Sequence, residues 1–578
     1  MIDSGKDTGR ETPAERTIKM EFDRRWLDPA KAGAELAARA AEIAADPELL
    51  AECFGGELEF GTAGLRGVLD AGTARMNRIT VGKATQGLAS VLLEDHACPG
   101  VAIAYDSRHF SREFAEEAAG ILAANGVHVW IYPELMPTPA LSYAVRELGC
   151  QSGIMITASH NPPEYNGYKV YDHTGGQIVS EFARRVSDAI AAVDPFDGVH
   201  RASLEEGLRT GTIEYLTQEF IDGYISAVLQ LQLEPGIFRE SGLKIAYSPL
   251  NGAGHKSVIA ALSRAGLEEI YVVADQSRPN GDFPTCPSPN PENPDTMKMT
   301  IDLGRYIKAD IAFATDPDSD RIGVAAPEAD GSWRLFTGNE LGVLLLDYIC
   351  RQRTAQGTMP AKPAAVMSIV STPMAARVAE HWGVEMHRVL TGFKYIGDVM
   401  NRLVEAGEPE RFLMGFEESC GYLTGMHVRD KDAVNAALLV CGMAAHYKME
   451  GKTLCQVMDG LYAEYGTYYT KADSFAFRGA GAMERMGAVM DHLRAEKLSE
   501  IAGTAVTGFT DYRDTAATGL PSADVLTWEL ADGCAVTARP SGTEPKLKLY
   551  FTVRSGSREE CLARYEVLRS AMTGAAGL

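Results

Sequence analysis

Three aspartates at alternate positions follow a short apolar run, in the sequence TDPDSDRIG at positions 315–323. Carboxylates this close repel one another by several kcal/mol unless a hard cation or an arginine neutralises them. Magnesium suits such a set, because it takes carboxylate ligands together with phosphate oxygens. The spacing does not fit a calcium-binding EF-hand, because Arg321 stands where that loop requires glycine. The loop therefore predicts a Mg²⁺ site at Asp316, Asp318 and Asp320, with Arg321 facing phosphate.

A second loop carries a hydroxyl, an imidazole and an amide, in the sequence TASHNP at positions 157–162. It follows the apolar run Gly153–Ile156, and the double proline that ends it stops further regular structure. An Asn-Gly turn then returns the chain through Lys169. This arrangement predicts an exposed nucleophile at Ser159 with Lys169 beside it. A serine-hydrolase pair is excluded, because neighbouring Ser and His do not form one and no G-x-S-x-G elbow is present.

A third loop places two glutamates and a serine between glycines, in the sequence MGFEESCG at positions 414–421. Carboxylates and a hydroxyl suit the vicinal hydroxyls of a sugar, because each group accepts or donates hydrogen bonds. Lys431 follows in the charged run 427–432. For that run alone, a solvated surface is the simpler interpretation.

A fourth loop, TARPSGTEPK at positions 537–546, gathers hydrogen-bond donors between two prolines. Arg539 offers a bidentate fork, a serine and a threonine offer hydroxyls, and Gly542 lets backbone amides approach an anion closely. The loop therefore predicts a phosphate site. Together the four loops match a phosphosugar mutase, in which a metal neutralises the moving phosphoryl group, a nucleophile carries it and a remote site grips the phosphate that does not react.

Short apolar runs that end in polar residues must position these loops. The runs are Val101–Tyr105 before Asp106–Arg108, Gly153–Ile156, Leu243–Tyr247, Asp310–Ala314 and Ala364–Val370. Their alternation with helical patterns predicts α/β layers with largely parallel strands, whose carboxyl ends hold ligands. A helix is predicted from an Asp28 cap through Pro29 to Ala45, and the proline-rich Asp282–Pro294 is predicted as an extended surface loop.

Length and charge limit the partners. A chain of 578 residues needs several domains, and its net charge of −23 opposes nucleic acid or an anionic membrane as the main partner. The polar start of the chain lacks a secretory signal, which predicts a cytoplasmic protein. The ten cysteines include no C-x-x-C pair, so zinc ribbons and thioredoxin-like redox sites find no support.

The motifs TASHNP, DPDSDR, GFEES and RPSGTEPK resemble those of the α-D-phosphohexomutase superfamily of phosphoglucomutases and phosphomannomutases, in the same order. FGTAGLRG at 60–67, TGFK at 391–394 and RDKD at 429–432 extend the resemblance, which runs from about Trp26 to the C-terminus and is nearest the long bacterial phosphoglucomutase-type branch. The resemblance implies an α/β fold of four domains around a central cleft, three similar mixed-sheet α/β domains plus a C-terminal α+β domain. We expect the divisions 1–45 (N-terminal tail and helix), 46–210, 211–330, 331–467 and 468–578.

The resemblance also implies residue roles. Ser159 would be the phosphoserine and would complete the Mg²⁺ site of Asp316, Asp318 and Asp320. The reacting phosphate would be surrounded by Arg66, His160, Lys169 and Arg321. The sugar would be held by Thr391, Gly392, Glu417, Ser419 and Lys431. The distal phosphate would be held by Arg539, Ser541, Gly542 and Thr543. Phe416 departs from the many members with glycine directly before Glu-Glu-Ser, so a different sugar fit is expected.

The implied reaction converts a hexose 1-phosphate into the 6-phosphate, with glucose as the expected sugar and glucose 1,6-bisphosphate as activator. Ser419 favours a hexose, although phosphomannomutase or phosphopentomutase activity would use the same scaffold. A phosphatase with an aspartyl nucleophile at Asp316 or Asp318 is an alternative, against which Asp320 counts because Thr or Val usually stands there. A non-catalytic sugar-phosphate sensor is a third alternative.

Overall fold

The structure of the chain, a computed structural model, describes residues 22–61, 64–479, 481–542 and 545–578. The strands in these residues are β1 (Gly64–Val68), β2 (Gly100–Tyr105), β3 (His128–Ile131), β4 (Ser152–Ile156), β5 (Tyr165–Asp172), β6 (Ile213–Tyr215), β7 (Lys244–Ser248), β8 (Glu269–Val272), β9 (Ile311–Thr315), β10 (Ile322–Pro327), β11 (Trp333–Leu335), β12 (Ala364–Ser368), β13 (Glu385–Val389), β14 (Phe412–Glu417), β15 (Gly421–Thr424), β16 (Thr467–Ala476), β17 (Glu500–Ile501), β18 (Thr504–Asp511), β19 (Leu526–Leu530), β20 (Ala535–Pro540) and β21 (Lys546–Ser555).

The helices in the same residues are α1 (Pro29–Ala32), α2 (Ala34–Ala44), α3 (Pro47–Phe54), α4 (Arg78–Asp95), α5 (Ser111–Ala124), α6 (Thr138–Glu147), α7 (Ser180–Ala192), α8 (Leu204–Thr210), α9 (Gln218–Leu229), α10 (Ile237–Ser241), α11 (Gly254–Arg264), α12 (Pro294–Ile307), α13 (Gly338–Ala355), α14 (Pro373–His381), α15 (Phe393–Glu405), α16 (Ala433–Met449), α17 (Leu454–Tyr465), α18 (Ala482–Glu496), α19 (Thr515–Thr518) and α20 (Arg558–Ala576). Short 3₁₀ turns lie at Arg24–Leu27, Ala274–Gln276 and Pro409–Arg411. No helix among the described residues is long and apolar enough to cross a bilayer.

Three mixed sheets repeat one plan, and this confirms the predicted α/β class. Their strand orders are β1-β5-β4-β2-β3-β6, β11-β10-β9-β7-β8 and β13-β12-β14-β15. In each sheet the central strands pair in parallel, and a strand that follows them in sequence turns back to pair antiparallel. The parallel strands β2, β4, β9 and β12 are buried along their whole length, as their continuous apolar runs predict.

The fourth sheet differs from the others, because every pair in its order β16-β21-β20-β19-β18-β17 is antiparallel. Helices α18 and α20 pack on it and share one apolar cluster with its strands. A different and continuous apolar cluster joins the first three sheets through side chains of β2, β7, β9, β12 and β14. The predicted fourth, C-terminal domain therefore has a main core of its own, whereas the first three domains share one, and a small cluster that includes Val370 and Tyr550 joins the third domain to the fourth.

The predicted domain limits stay a proposal. The first sheet extends to Tyr215 and the second to Leu335, a few residues past the expected divisions at 210 and 330. The third sheet ends at Thr424, and the fourth begins at Thr467.

One prediction about local structure is wrong, and a second is incomplete. The single N-terminal helix is two helices, because Gly33 adopts φ 88° between α1 and α2. The proline-rich segment 282–294 is not simply a surface loop, because Phe283 is fully buried and Cys286 is 6% exposed. This segment packs between the first and second sheets, where it contacts residues of the candidate site described below.

Candidate active site

The turns of three equivalent hairpins carry the predicted serine, metal and sugar loops. The turn 157–164 joins β4 to β5, the turn 316–321 joins β9 to β10, and the turn 418–420 joins β14 to β15. In each sheet the first strand of the hairpin is a buried central strand. The three turns therefore lie at the carboxyl ends of central strands, where ligands are expected in α/β sheets.

Ser159 is held tightly and is only 3% exposed, whereas the sequence predicted an exposed nucleophile. Its Oγ donates to Asp316 Oδ2 at 2.8 Å and lies 3.1 Å from His160 Nδ1. Its backbone N–H donates to Thr157 Oγ1 at 2.8 Å, and its φ of 52° is one that residues with side chains seldom adopt. The surrounding contacts thus fix a strained residue with its hydroxyl directed at the aspartates.

The three aspartates form one compact cluster, and their ligand oxygens lie within 4.8 Å of one another. Asp316 and Asp318 are fully buried, and Asp320 is 2% exposed. Asp318 Oδ1 and Asp320 Oδ1 are buried and accept no hydrogen bond from any described residue. Buried carboxylate oxygens without a partner are costly, so the donor set fits a bound hard cation such as Mg²⁺.

The electrostatics of the cluster support the same conclusion. Burial and the other two carboxylates raise the pKa of Asp316 well above its ordinary value, and burial also raises the pKa of Asp320. Burial acts to raise the pKa of Asp318 too, but the ammonium of Lys169 outweighs it and lowers that pKa. Without a cation, three adjacent carboxylates cannot all ionise at low cost.

Two lysines from different sheets approach the aspartates. Lys169 Nζ on β5 lies 2.9 Å from Asp318 Oδ2 and 3.8 Å from Asp320 Oδ2. Lys431 Nζ lies 3.0 Å from both Asp320 Oδ2 and Asp430 Oδ1 and is 7% exposed, so the solvated-surface interpretation of its charged run is wrong. Burial acts to lower the pKa of Lys431, but the neighbouring carboxylates raise it and keep the lysine charged.

The remaining residues predicted around the reacting phosphate also lie here. Arg66 Nη1 donates to Asn161 Oδ1 at 3.4 Å, and Arg321 Nη1 donates to Glu292 Oε1 at 3.1 Å. Burial lowers the pKa of His160 well below its ordinary value, and the guanidinium groups of Arg321 and Arg66 lower it further. His160 is therefore neutral beside Ser159 at physiological pH.

One cavity of about 540 Å³ collects these groups, and we name it the serine cavity. Its lining includes Arg66, Ser159, Lys169, Asp320, Arg321, Lys431 and Gly542. Because these residues come from all four sheets or their loops, the cavity is the central cleft that the sequence predicted.

The sugar loop is divided between two environments. Glu417 Oε1 accepts the N–H of Gly392 at 2.7 Å, which fixes the predicted pair Glu417 and Gly392 together. Ser419 lines a second cavity of about 340 Å³ together with Glu418, Lys548 and Tyr550. The hydroxyl of Thr391 is buried without a hydrogen-bond partner among the described residues, so it is available to a ligand.

The structure places Phe416 in the core, and the expectation that it alters the sugar fit stays a prediction. Its side chain is fully buried and belongs to the core shared by the first three sheets. A Cβ on Gly342 of α13 would lie 2.5 Å from the ring, so this helix packs directly against it. Phe416 therefore fills the core behind the sugar loop.

The phosphate loop lies at the end of β20. Arg539 stands in this strand opposite Lys548, Ser541 N–H donates to Lys546 O at 2.7 Å, and Gly542 reaches the serine cavity. Thr543, the last residue predicted for this loop, lies outside the described residues.

Sequence reasoning missed several residues that hold the site. Thr138 at the start of α6 donates its N–H to Asp318 O and its hydroxyl to Asp318 Oδ2, both at 2.8 Å. Asp430 holds Lys431, and Glu292 holds Arg321. The signals in the sequence were proline neighbours at Thr138 and, at Asp430, membership of a charged run and of the RDKD motif, and none of them indicates the partner.

Family models match most of the chain. Models described as phosphoglucomutase/phosphomannomutase, alpha/beta/alpha domains I, II and III match residues 57–196, 222–331 and 337–465. Each matched segment contains one of the three hairpin turns described above.

Curated relatives agree with the family models. The chain is 36% identical over 484 residues to a protein of Haemophilus influenzae named probable phosphomannomutase, which covers 83% of this chain and 93% of that one. It is 35% identical over 509 residues to a Staphylococcus epidermidis protein named phosphoglucomutase, with 86% and 90% covered.

Solved structures show the same fold at lower sequence identity. A phosphoglucomutase/phosphomannomutase family protein from Burkholderia thailandensis superimposes with a TM-score of 0.66 at 19% identity, covering 90% of this chain and 98% of that one. The open form of the Paramecium phosphoglucomutase pp63/parafusin gives 0.67 at 18% identity, covering 91% and 95%. The four-domain arrangement is thus common to all three chains.

Proposed function

The chain belongs to the phosphoglucomutase/phosphomannomutase family and is a mutase, and we propose that it interconverts hexose 1-phosphate and hexose 6-phosphate with glucose phosphates as principal substrates. The observation that carries this proposal is the position of Ser159. Its Oγ lies 2.8 Å from Asp316, within a cluster in which one buried oxygen of Asp318 and one of Asp320 accept no hydrogen bond from the described part of the chain. A phosphoryl group on this hydroxyl would share the cation that the aspartates hold.

The proposed cycle starts from phosphorylated Ser159. The free hydroxyl of the sugar phosphate attacks phosphorus, the bond from phosphorus to Ser159 Oγ breaks, and a sugar 1,6-bisphosphate forms. The bisphosphate turns around in the serine cavity, and its other phosphoryl group returns to Ser159. Mg²⁺ bound by the aspartates would supply charge neutralisation for the phosphoryl oxygens.

The chain's own residues bind and orient the reactants in this proposal. Arg66, Arg321 and neutral His160 contact the reacting phosphate, and the nearby lysines 169 and 431 are the candidates for proton transfer. The sugar is held by Thr391, Gly392, Glu417 and Ser419, and the distal phosphate by Arg539, Ser541, Gly542 and Thr543. Positive charge at both ends of the ligand suits a molecule that carries two phosphates in turn.

The choice of sugar rests on the names of relatives and on Ser419. A relative at 35% identity is named phosphoglucomutase, whereas one at 36% is named probable phosphomannomutase, so mannose phosphates are the second candidate. We place the reaction in cytoplasmic carbohydrate metabolism, with a catalytic amount of glucose 1,6-bisphosphate to phosphorylate Ser159.

A coupled assay with a trace of glucose 1,6-bisphosphate tests the proposal. The wild-type protein with Mg²⁺ should convert glucose 1-phosphate, and Ser159→Ala should abolish turnover because the phosphoryl carrier is lost. The control Ser203→Ala removes an exposed hydroxyl that caps α8 and should leave turnover unchanged. A wild-type protein that is inactive on glucose, mannose, glucosamine and ribose phosphates would contradict the proposal.

Mapping the phosphorylated peptide distinguishes the mutase from a phosphatase with an aspartyl nucleophile. A phosphoserine at position 159 resists hydroxylamine, whereas an acyl phosphate on Asp316 or Asp318 is cleaved by it. Label that survives hydroxylamine and maps to the peptide containing Ser159 supports the mutase, and label lost from the aspartate peptide supports the phosphatase.

A further inference from the structure

The guanidinium group of Arg108 binds several backbone carbonyls of the loop that carries Ser159. Its Nη2 donates to the carbonyl oxygens of Ser159, at 2.5 Å, and of Asn161. Its Nη1 donates to the carbonyl oxygens of Pro162 and Tyr165, at 2.8 and 3.0 Å. Four carbonyls spread over seven positions of the chain thus point at a single side chain, which fixes the path of the loop that carries Ser159.

The guanidinium is fixed on its other side by Asp106. The side chains of Asp106 and Arg108 are fully buried, and Arg108 Nε lies 3.4 Å from Asp106 Oδ2. The same carboxylate oxygen accepts the hydroxyl of Thr157 at 2.6 Å, and this hydroxyl oxygen accepts the N–H of Ser159. Asp106 and Arg108 therefore hold the backbone of Ser159 at its N–H and at its carbonyl.

A residue of the second sheet's domain covers the guanidinium. The ring of Phe283, in the proline-rich segment, lies 5.0 Å from the Arg108 guanidinium carbon and is fully buried. The neighbouring Asp282 pairs with His109 at 2.7 Å. At the far end of the segment, Glu292 holds Arg321 at 3.1 Å. The proline-rich segment thus contacts both Arg108, which binds the serine loop, and Arg321, the last residue of the turn that carries the aspartates.

We propose that Arg108 is a positioning residue for phosphoryl transfer. The proline-rich segment contacts Arg108 through Phe283 and thereby keeps both Arg108 and Ser159 correctly placed relative to the aspartates. The inference rests on the proposed function, because it concerns the placement of the phosphoryl group on Ser159. Among the described residues, Arg108 makes no hydrogen bond to Ser159 Oγ or to an aspartate of the metal cluster, and its hydrogen bonds to the loop go to backbone carbonyls.

The physical basis is the sensitivity of phosphoryl transfer to alignment. A displacement of a reacting group by about 1 Å costs on the order of 100-fold in rate. Lysine cannot replace Arg108, because an ammonium is a point donor and a planar guanidinium presents five donors in a fixed fork. The ring of Phe283 lies against the guanidinium group and limits the orientations that its plane can adopt.

Arg108→Lys tests the proposal in the full-length protein with Mg²⁺. We expect kcat and the rate at which glucose 1,6-bisphosphate phosphorylates Ser159 to fall by about 100-fold, with less than about a threefold change in KM. Hydrogen exchange of the peptide covering 157–165 should become faster. Arg112→Ala, four residues away on the exposed face of α5 and paired with Glu116, should change none of these quantities.

Rates are normalised to folded protein by circular dichroism, so a loss of stability alone does not count as support. An Arg108→Lys protein that keeps wild-type kcat and wild-type exchange of residues 157–165 overturns the proposal. If wild-type protein itself lacks mutase activity, the proposed function fails, whereas the exchange measurement still decides whether Arg108 orders the loop.

Phe283→Leu provides a second test that leaves every hydrogen bond of Arg108 available. We expect a fall in kcat of about five- to tenfold with KM nearly unchanged, because the guanidinium group of Arg108 loses the aromatic ring that orients it. Unchanged kcat in Phe283→Leu would refute the role of the proline-rich segment. If Arg108→Lys does not fold, this variant alone decides the inference.

Discussion

The two ends of the central cleft are built differently. At the serine end, Ser159, the three aspartates and Lys431 are nearly inaccessible and are connected to one another across the first three sheets. At the distal end, Gly542 is exposed, and the loop that carries it belongs to a domain whose core is separate from the core that joins the first three sheets. The described residues of the serine end are thus buried and joined to one another, whereas the described part of the distal loop is exposed.

The difference follows from the proposed reaction. Phosphoryl transfer requires fixed geometry, because its rate depends on the alignment and electrostatics of the reacting group. The bisphosphate must also reverse its orientation in the cleft, so the loop that binds the distal phosphate must be able to release it. Substitutions at the serine end should therefore lower kcat, whereas those at the distal end should raise KM.

The largest effect is expected for Lys431→Met. It removes a buried charge 3.0 Å from Asp320 and from Asp430, so kcat should fall by about 100- to 1000-fold. The unpaired carboxylates should also lower the free energy of unfolding by about 3–5 kcal/mol, measured by urea denaturation without Mg²⁺. Lys448→Met, which breaks a half-exposed pair with Asp310, is the control. Near-normal kcat in Lys431→Met would contradict the description of the serine end as a connected set of buried groups.

Arg539→Ala is the corresponding test of the distal end. Loss of the guanidinium should raise KM for glucose 1-phosphate by about 30-fold and change kcat by less than about threefold. Arg513→Ala, which removes an exposed arginine paired with Asp524 in the same domain, should leave both constants unchanged. A large fall in kcat at unchanged KM would show that the distal phosphate site takes part in the chemical step. This result would contradict the proposed difference between the two ends of the cleft.

Thr138→Val tests how strictly the serine end is ordered. Valine has the shape of threonine but cannot donate to Asp318 Oδ2, so this carboxylate loses a partner that orients it. We expect the Mg²⁺ concentration for half-maximal activity to rise about tenfold, because such supporting hydrogen bonds contribute strongly to metal affinity. Thr210→Val, in an exposed position at the end of α8, serves as control. An unchanged Mg²⁺ requirement would mean that the Thr138 hydroxyl is not needed, and that Lys169 together with the N–H of residue 138 is sufficient to hold Asp318.

The smallest effect is expected for Ser419→Ala in the sugar loop. One hydroxyl contributes a net hydrogen bond of about 1 kcal/mol, so KM should rise about two- to tenfold. The ratio of activities on glucose and mannose phosphates should be measured in the same series. If Ser419→Ala leaves every substrate unaffected, the second cavity that Ser419 lines is not part of the sugar site.

Residue type and spacing indicated only the contiguous parts of the candidate site. Asp316, Asp318 and Asp320 lie in one turn and predicted a metal site, whereas the phosphoserine at Ser159 and the role of His160 came from the resemblance to the phosphohexomutases and stay proposals. The alternation of strands and helices placed these loops at strand ends. The fold class followed from that alternation because each buried strand of five or six residues consists mainly of an apolar run.

The residues that sequence missed act over long separations. Thr138 holds Asp318 from 180 positions away, and Arg108 holds the carbonyl of Ser159 from 51 positions away. Neither contact leaves a local pattern, because the first depends on how two domains are packed together and the second on the pairing of β2 with β4 in the first sheet. Phe416 shows the opposite case, in which a residue inside a recognised motif belongs to the core and not to the ligand site.

The three equivalent hairpins have a consequence for redesign. Each presents a single turn, and the turn 418–420 contains three residues between β14 and β15, whose backbone pairing is complete at Glu417 and Gly421. This turn is also joined to the metal loop, because Gly421 bridges to Arg321 and the N–H of Ile322 donates to the carbonyl of Cys420. A change that moves the backbone of 418–420 would therefore disturb the metal loop as well, whereas side-chain changes at Glu418 and Ser419 that keep this backbone would leave it in place.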